Sequence, residues 1–168
     1  MEEYNTDTKM IACTFENGNV AKKGLRHVTV GAIAVNDHNE VLLVKRAAHL
    51  LNGGKYTIPG GFLDRDENAA QATLRELREE AGYEGEIVQL FRINDNPNRP
   101  KEDRQNVDFL YIVKVTGGAK RDNEEVSEIV WFAKDALPEE DAFAFDHRES
   151  ILKYFDYLET QFQLPILG

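Results

Sequence analysis

Apolar residues in this chain follow two different periods. From His27 to Val35 (H-V-T-V-G-A-I-A-V) nearly every position is apolar or β-branched, as in a strand covered on both faces. Asn36-Asp37-His38-Asn39 reads as a turn and Glu40 to Arg46 (E-V-L-L-V-K-R) as the returning strand, so the two form a hairpin. His27 and His38 then fall at a strand end and in a turn, not among ligands. Asn52-Gly53-Gly54-Lys55 reads as a loop and Tyr56-Thr57-Ile58 as a short strand. Pro59-Gly60-Gly61 follows, a tight turn whose glycines let the backbone approach a ligand.

The period then changes to helical. Ala70, Leu74, Leu77 and Ala81 make an apolar stripe at helix spacing, and Gly82 ends it. The expected start lies between Asp64 and Glu67, where Asp64 with Glu67 has the form of a capping box and Asp66 is the other cap candidate. Strands are expected over Glu86 to Ile93, over Asn106 to Thr116 with Val107, Phe109, Tyr111, Val113 and Val115 alternating inward, and over Ser127 to Ala133. The polar stretch Asn94 to Gln105 carries two prolines and reads as a long loop, functional or merely connecting. Gly117 to Glu125 is a charged connection, and Lys134 to Pro138 a helical turn cut by proline. A second helix is expected over Asp146 to Gln161 with Ile151, Tyr154, Phe155 and Leu158 on one stripe. The apolar tail 164–168 is expected to dock on the domain or on a partner. Strands with only two helices between and after them do not suit a doubly wound parallel sheet. The expectation is an α+β fold: a mixed, partly barrel-like sheet between helices.

Length bounds this to one domain: 168 residues, with residues 1–24 read as an N-terminal extension or added strand, 25–160 as the domain and 161–168 as a tail. Within the extension, Lys9 to Phe15 reads as a short strand and Cys13 as a small apolar residue. That single cysteine excludes an internal disulfide and a multi-cysteine zinc site. No apolar run is long enough to span a membrane, and the acidic Met1-Glu2-Glu3-Tyr4 is unlike a secretory signal, so a cytoplasmic location is expected. The net charge of −10 opposes binding to nucleic acid. It leaves room for a small phosphorylated ligand if a divalent cation stands between protein and phosphate.

The helix supplies the place for such a cation. Glu76, Glu79 and Glu80 lie at helical neighbour spacing and repel one another unless a positive charge joins them. A solvated acidic face is the competing reading. Hard cations such as Mg²⁺ take oxygen ligands from few carboxylates plus substrate phosphates, and a carbonyl of Gly60 or Gly61 offers another oxygen. Arg75 is placed to hold a carboxylate in position, and Glu67 to pair with Arg75 or Arg78. The chemistry implied is metal-assisted hydrolysis of a phosphoanhydride, with a glutamate taking the proton.

Gly61, five residues, Glu67, seven residues, then Arg75-Glu76-Leu77-Arg78-Glu79-Glu80-Ala81-Gly82-Tyr83 resembles the signature of the Nudix hydrolases. Every fixed position is present, and only Tyr83 departs, where an aliphatic residue is usual. The resemblance implies the family's α/β/α sandwich. It implies Mg²⁺ or Mn²⁺ held by Glu76, Glu79 and Glu80 with a carbonyl from Gly60. Glu79, Glu76, Arg75 and Glu67 are the implied catalytic set. Glu125 is the first candidate for an acid outside the signature, ahead of Glu124, Glu128, Glu102 and Asp103. Gly60, Gly61, Phe62 and Arg46 are assigned to the substrate.

Fold and signature do not define what is attached to the diphosphate. An aromatic from outside the signature is expected to stack on a nucleobase, with Phe15, Phe62, Phe91 and Phe145 as candidates. Ala144-Phe145-Asp146-His147, with Pro97 and Pro100, resembles the ADP-ribose pyrophosphatase-like branch, and His147 is placed at a helix start. The leading expectation is a nucleoside diphosphate linked to another moiety, such as ADP-ribose or an ADP-sugar. The alternatives are a sanitising nucleoside triphosphate pyrophosphatase and a non-catalytic nucleotide sensor. The partner is expected to be a small nucleotide, and the chain a possible homodimer.

Overall fold

Strand β1 (His27–Val35) is the hub of an eight-stranded mixed sheet. The computed structural model describes residues 26–101, 105–120 and 124–168, so the expectations for Cys13 and Phe15, and for Glu102 and Asp103, lie outside the described residues. The other elements are β2 (Val41–Arg46), β3 (Tyr56–Thr57), β4 (Gly60–Phe62), α1 (Ala69–Ala81), β5 (Tyr83–Asn94), β6 (Asn106–Gly118), β7 (Val126–Phe132), α2 (His147–Glu159) and β8 (Ile166–Leu167). β1 runs parallel to β6 from His27 opposite Asn106 to Val35 opposite Lys114. Its other edge pairs antiparallel with β4 over Thr29–Gly31, and with β2 at Val35 opposite Val41. β2 then diverges to lie between β3 and β7. The expected hairpin therefore joins only at its turn, and the sheet splays open and does not close into a barrel.

Alternation along β1 and β2 sends side chains to two cores. Ala32, Ala34, Leu42 and Val44 face Leu77 and Ala81 of α1, together with Val113. Ile33, Val35, Val41 and Leu43 face Ile151, Tyr154 and Phe155 of α2, together with Phe91 and Ile112. This is the expected helix–sheet–helix sandwich. Each large aliphatic buried in either layer contributes roughly 1.5–3 kcal/mol. Because both faces of the sheet are covered, the alternation expected for β6 is incomplete: Val113 is buried, but so are Asp108, Leu110 and Ile112 of the opposite phase.

Several expectations are corrected. α1 begins after Asn68, whose side chain accepts from the Gln71 backbone N–H while the Gln71 side chain accepts from the Asn68 N–H. That capping box displaces the one expected from Asp64 and Glu67, and Asp66 sits at φ 72 in the left-handed region. The buried face of α1 is Ala72, Thr73, Leu77, Glu80 and Ala81, so the helix is rotated relative to the expected stripe and carries one of its glutamates inward. Leu158 of α2 is exposed; Ser150 and His147 take its place on the inner face. The tail docks on its own domain, where β8 adds a parallel strand to β5. Among the described residues no helix is long and apolar enough to cross a membrane.

Candidate active site

Gly60 and Gly61 form no turn. They lie in β4, paired with Gly31 and Val30 of β1, and both are needed for close approach. A Cβ on Gly60 would run into the Val30 carbonyl and come within 2.9 Å of the Gly31 Cα. A Cβ on Gly61 would strike the Glu76 carboxylate. β4 thus lies flush against α1, and the two glycines have separable jobs. Gly60→Ala meets backbone that cannot yield, so the folded state is expected to lose about 1–3 kcal/mol, read as a lower urea midpoint. Gly61→Ala meets a movable carboxylate, so stability is expected to hold while kcat/KM falls at least ~10-fold. Equal stability losses in both variants would contradict this division.

Arg75 organises the acids. All five of its N–H groups are directed at acceptors: Nε to Glu67 Oε2 at 3.1 Å, Nη2 to Glu67 Oε1 at 2.7 Å and to the Phe62 carbonyl at 3.0 Å, and Nη1 to Glu76 at 2.8 Å and Glu79 at 3.1 Å. The planar fork of arginine is suited to this, since a lysine cannot aim five donors. The hydrogen bond from Arg75 holds the Glu67 carboxyl below the usual carboxylate range, and Glu67 in turn raises the Arg75 pKa. Glu67 also accepts from the Asp64 N–H at 2.9 Å, which ties the loop before α1 to the cluster. Arg78, the other expected partner for Glu67, instead pairs with Glu84 at 2.7 and 2.9 Å.

Glu80 is the buried member. Its carboxylate accepts from the Gly60 N–H at 2.9 Å, and its residue is 7% exposed. Burial pushes its pKa up to about 8, the negative charges of Glu76 and Glu125 push in the same direction, and the Gly60 N–H and the positive charge of Arg46 oppose them. Arg46 and Glu125, far apart in sequence, are therefore brought within electrostatic reach of α1. Arg46 also donates to the Leu51 carbonyl at 2.7 Å and lies 5.6 Å over the Phe145 ring.

Among the described residues no three His, Cys, Asp or Glu side chains form a preassembled cage. The carboxylates are drawn toward Arg75 and Gly60, and the ionised form of Glu80, disfavoured first by burial and then by Glu76 and Glu125, would be favoured by a cation beside it. The donors are oxygen alone, which suits Mg²⁺ or Mn²⁺ and not a soft metal. The residues present fit such an ion.

The remaining sequence candidates separate clearly. Phe62 lends its carbonyl to Arg75, and its ring packs edge-on to His27 at 5.6 Å. Phe91 is fully buried in the core and cannot stack on a ligand. Glu124 is exposed, and Glu128 is engaged with Lys45 at 3.3 Å and the Tyr56 hydroxyl at 3.1 Å. Tyr83, the departure from the signature, packs edge-on to Trp131 at 5.5 Å, and its hydroxyl accepts from the indole N–H at 3.4 Å. His147 opens α2 as expected, but is buried against the Thr57 hydroxyl at 2.5 Å. Burial and the charge of Arg99 push its pKa down to about 3, so it is neutral.

The NUDIX domain family model matches residues 25–154. The chain belongs to the NUDIX family. Among its Nudix relatives is an ADP-ribose pyrophosphatase of Methanocaldococcus jannaschii, 30% identical over 127 residues, covering 76% of this chain and 72% of the relative. A solved NUDIX hydrolase from Nitrosomonas europaea superposes with a TM-score of 0.76 at 25% identity, over 94% of this chain and 92% of that one. The NUDIX domain of Shewanella oneidensis NrtR, solved in complex with ADP ribose, gives a TM-score of 0.60 at 26% identity, over 81% of this chain and 90% of that one. The protein is a Nudix pyrophosphohydrolase acting on acid anhydrides, and its family generally uses a divalent metal.

Proposed function

We propose that the chain hydrolyses the diphosphate of ADP-ribose or an ADP-sugar, with Mg²⁺ or Mn²⁺ held by Glu76, Glu79, Glu80 and the Gly60 carbonyl. The observation that carries the metal assignment is the gathering of three carboxylates beside β4: Arg75 bonds Glu76 and Glu79, and buried Glu80 accepts from the Gly60 N–H. The substrate assignment draws on the Methanocaldococcus jannaschii relative and on the ADP-ribose bound to the Shewanella oneidensis domain. When bound, the ion supplies charge neutralisation of the diphosphate and activation of water.

The chain's own residues do the rest. Arg75 aims Glu76 and Glu79 along one face of α1, and the Gly60 N–H aims Glu80. Glu79 is the most exposed of the three acids, and Glu125, the outlying carboxylate beside Glu80, is assigned as proton acceptor. Arg46 supplies positive charge on the substrate side, with Gly61 and Phe62 forming the floor.

The test is a substrate panel with Mg²⁺ and then Mn²⁺: ADP-ribose, ADP-sugars, dinucleoside polyphosphates, NADH, and canonical and oxidised dNTPs. ADP-ribose is expected to give AMP and ribose 5-phosphate, with no turnover in chelator. Preferred release of a monophosphate and pyrophosphate from a dNTP would move the assignment to a sanitising enzyme. No turnover of any phosphoanhydride would overturn it.

A further inference from the structure

One residue of the 95–101 loop breaks its pattern. Its neighbours Asn98 and Pro100 do not share its environment: Asn98 is exposed, and so is Pro100, whereas the Arg99 side chain is 3% exposed. Arg99 Nε and Nη2 donate to one oxygen of Asp146 at 3.0 and 2.7 Å, and Nη1 lies 3.4 Å from Asp108. Asn94 donates to the other Asp146 oxygen at 2.6 Å, and Thr29 donates to Asp108 at 3.0 Å. Asp146 is the residue before α2, a position where aspartate normally accepts from the helix N–H groups. Here it makes no such cap; both oxygens are taken by Arg99 and Asn94.

The residue before it is strained. Phe145 has φ 53, in the left-handed region that a bulky side chain enters only where its surroundings hold it. On one side the chain is pinned to β3, with the Ala144 N–H donating to the Tyr56 carbonyl at 2.8 Å and Lys101 donating to the Phe143 carbonyl at 2.9 Å. On the other it is pinned through Asp146. The half-buried Phe145 ring is left between Arg46 at 5.6 Å and His147 at 5.4 Å. Arg46 is the same cation that reaches Glu80, so this ring stands where the metal-side acids give way to the α2 end of the fold.

We propose that the Arg99–Asp146 ion pair is a latch that holds Phe145, with Arg46 over it, as a shelf for the aromatic base of the substrate. Arg99 is a positioning residue, acting through Asp146; Phe145 and Arg46 make the contact. The aromatic face recognises a planar base by stacking, while the Arg46 guanidinium against it adds a cation–π contact and positive charge toward the diphosphate. The inference rests on the nucleoside diphosphate reading above.

The variants are Arg99→Met, Phe145→Gly and their combination. Glycine tolerates the left-handed backbone, so Phe145→Gly is expected to fold while removing the ring. Each single variant should raise KM for ADP-ribose about 10-fold, with the larger part of the loss in KM and not in kcat. The double variant should lose little more than either single one, because both act on the same contact. Independent losses that multiply, or an unchanged KM in Phe145→Gly, would overturn the latch. Arg99→Lys, which keeps the charge without the fork, should recover part of the KM. Should the wild type fail to turn over ADP-ribose, the functional reading falls by itself. AMP binding in chelator, measured by calorimetry, still decides the shelf: weaker binding in both single variants supports it, and unchanged binding refutes it.

Discussion

Glu80→Gln is expected to abolish hydrolysis, at least ~100-fold in kcat/KM, while making the metal-free protein more stable at pH 8 and above. Glutamine preserves the shape and can still accept from the Gly60 N–H, which Glu80 engages at 2.9 Å. It removes a carboxylate that burial pushes up to about 8. The sign follows from linkage. A carboxyl whose folded pKa is raised contributes stability below its unfolded value near 4.5, and that stability is lost as pH rises through about 8. In chelator the stability of the wild type relative to Glu80→Gln should therefore fall by on the order of 4 kcal/mol between about pH 4.5 and above 8, because the contributions of other buried groups such as His147 are common to both proteins. Urea denaturation across that window, with kinetics in Mg²⁺, measures both halves. A variant that is less stable than wild type at pH 8.5, or that retains activity, would contradict the account.

Arg75→Lys should fail in a different way. Lysine keeps the charge but cannot serve Glu67, Glu76, Glu79 and the Phe62 carbonyl at once. Partners left buried and unpaired are costly, so the fold is expected to lose about 2 kcal/mol, allowing for the part of the side chain that water reaches. Activity should fall by about 100-fold, because Glu76 and Glu79 lose their common orienter. The two substitutions thus move stability in opposite directions while both remove activity. Equal urea midpoints for wild type and Arg75→Lys would show that the network is not structural.

The parts of the site that could be read from sequence are those whose partners are close along the chain. Arg75 is eight residues from Glu67, one from Glu76 and four from Glu79, so helix geometry and the spacing from Gly61 already bring them together. The latch has no such signal. Arg99 and Asp146 are separated by 47 positions, Asn94 and Asp146 by 52, Thr29 and Asp108 by 79, and Thr57 and His147 by 90. One hint was present: Asp108 interrupts an apolar strand, and a buried carboxylate there needs a cation from somewhere. Nothing in the loop distinguished Arg99 from its exposed neighbours.

The start of α1 shows a related limit. Asp64 with Glu67 and Asn68 with Gln71 both have the form of a capping box; Glu67 does reach back to the Asp64 N–H while also holding Arg75, but the helix opens four residues later, where Asn68 and Gln71 complete both bonds. The inward glutamate follows from a tertiary fact as well. Glu80 tolerates burial because β4 presents the Gly60 N–H to it, and β4 can lie that close only as glycine.

The sequence by itself determined the two helices, the succession of strands and the reaction class. Those depend on periodicity and on a signature read within one short stretch. Tertiary structure decided the open sheet, the burial of Glu80, the gathering of Arg46 and Glu125 around it, and the capture of Arg99 by Asp146. The physical reason is range. Periodicity records which face of a segment meets the core, whereas a buried charge is defined by a partner that only the folded chain brings near.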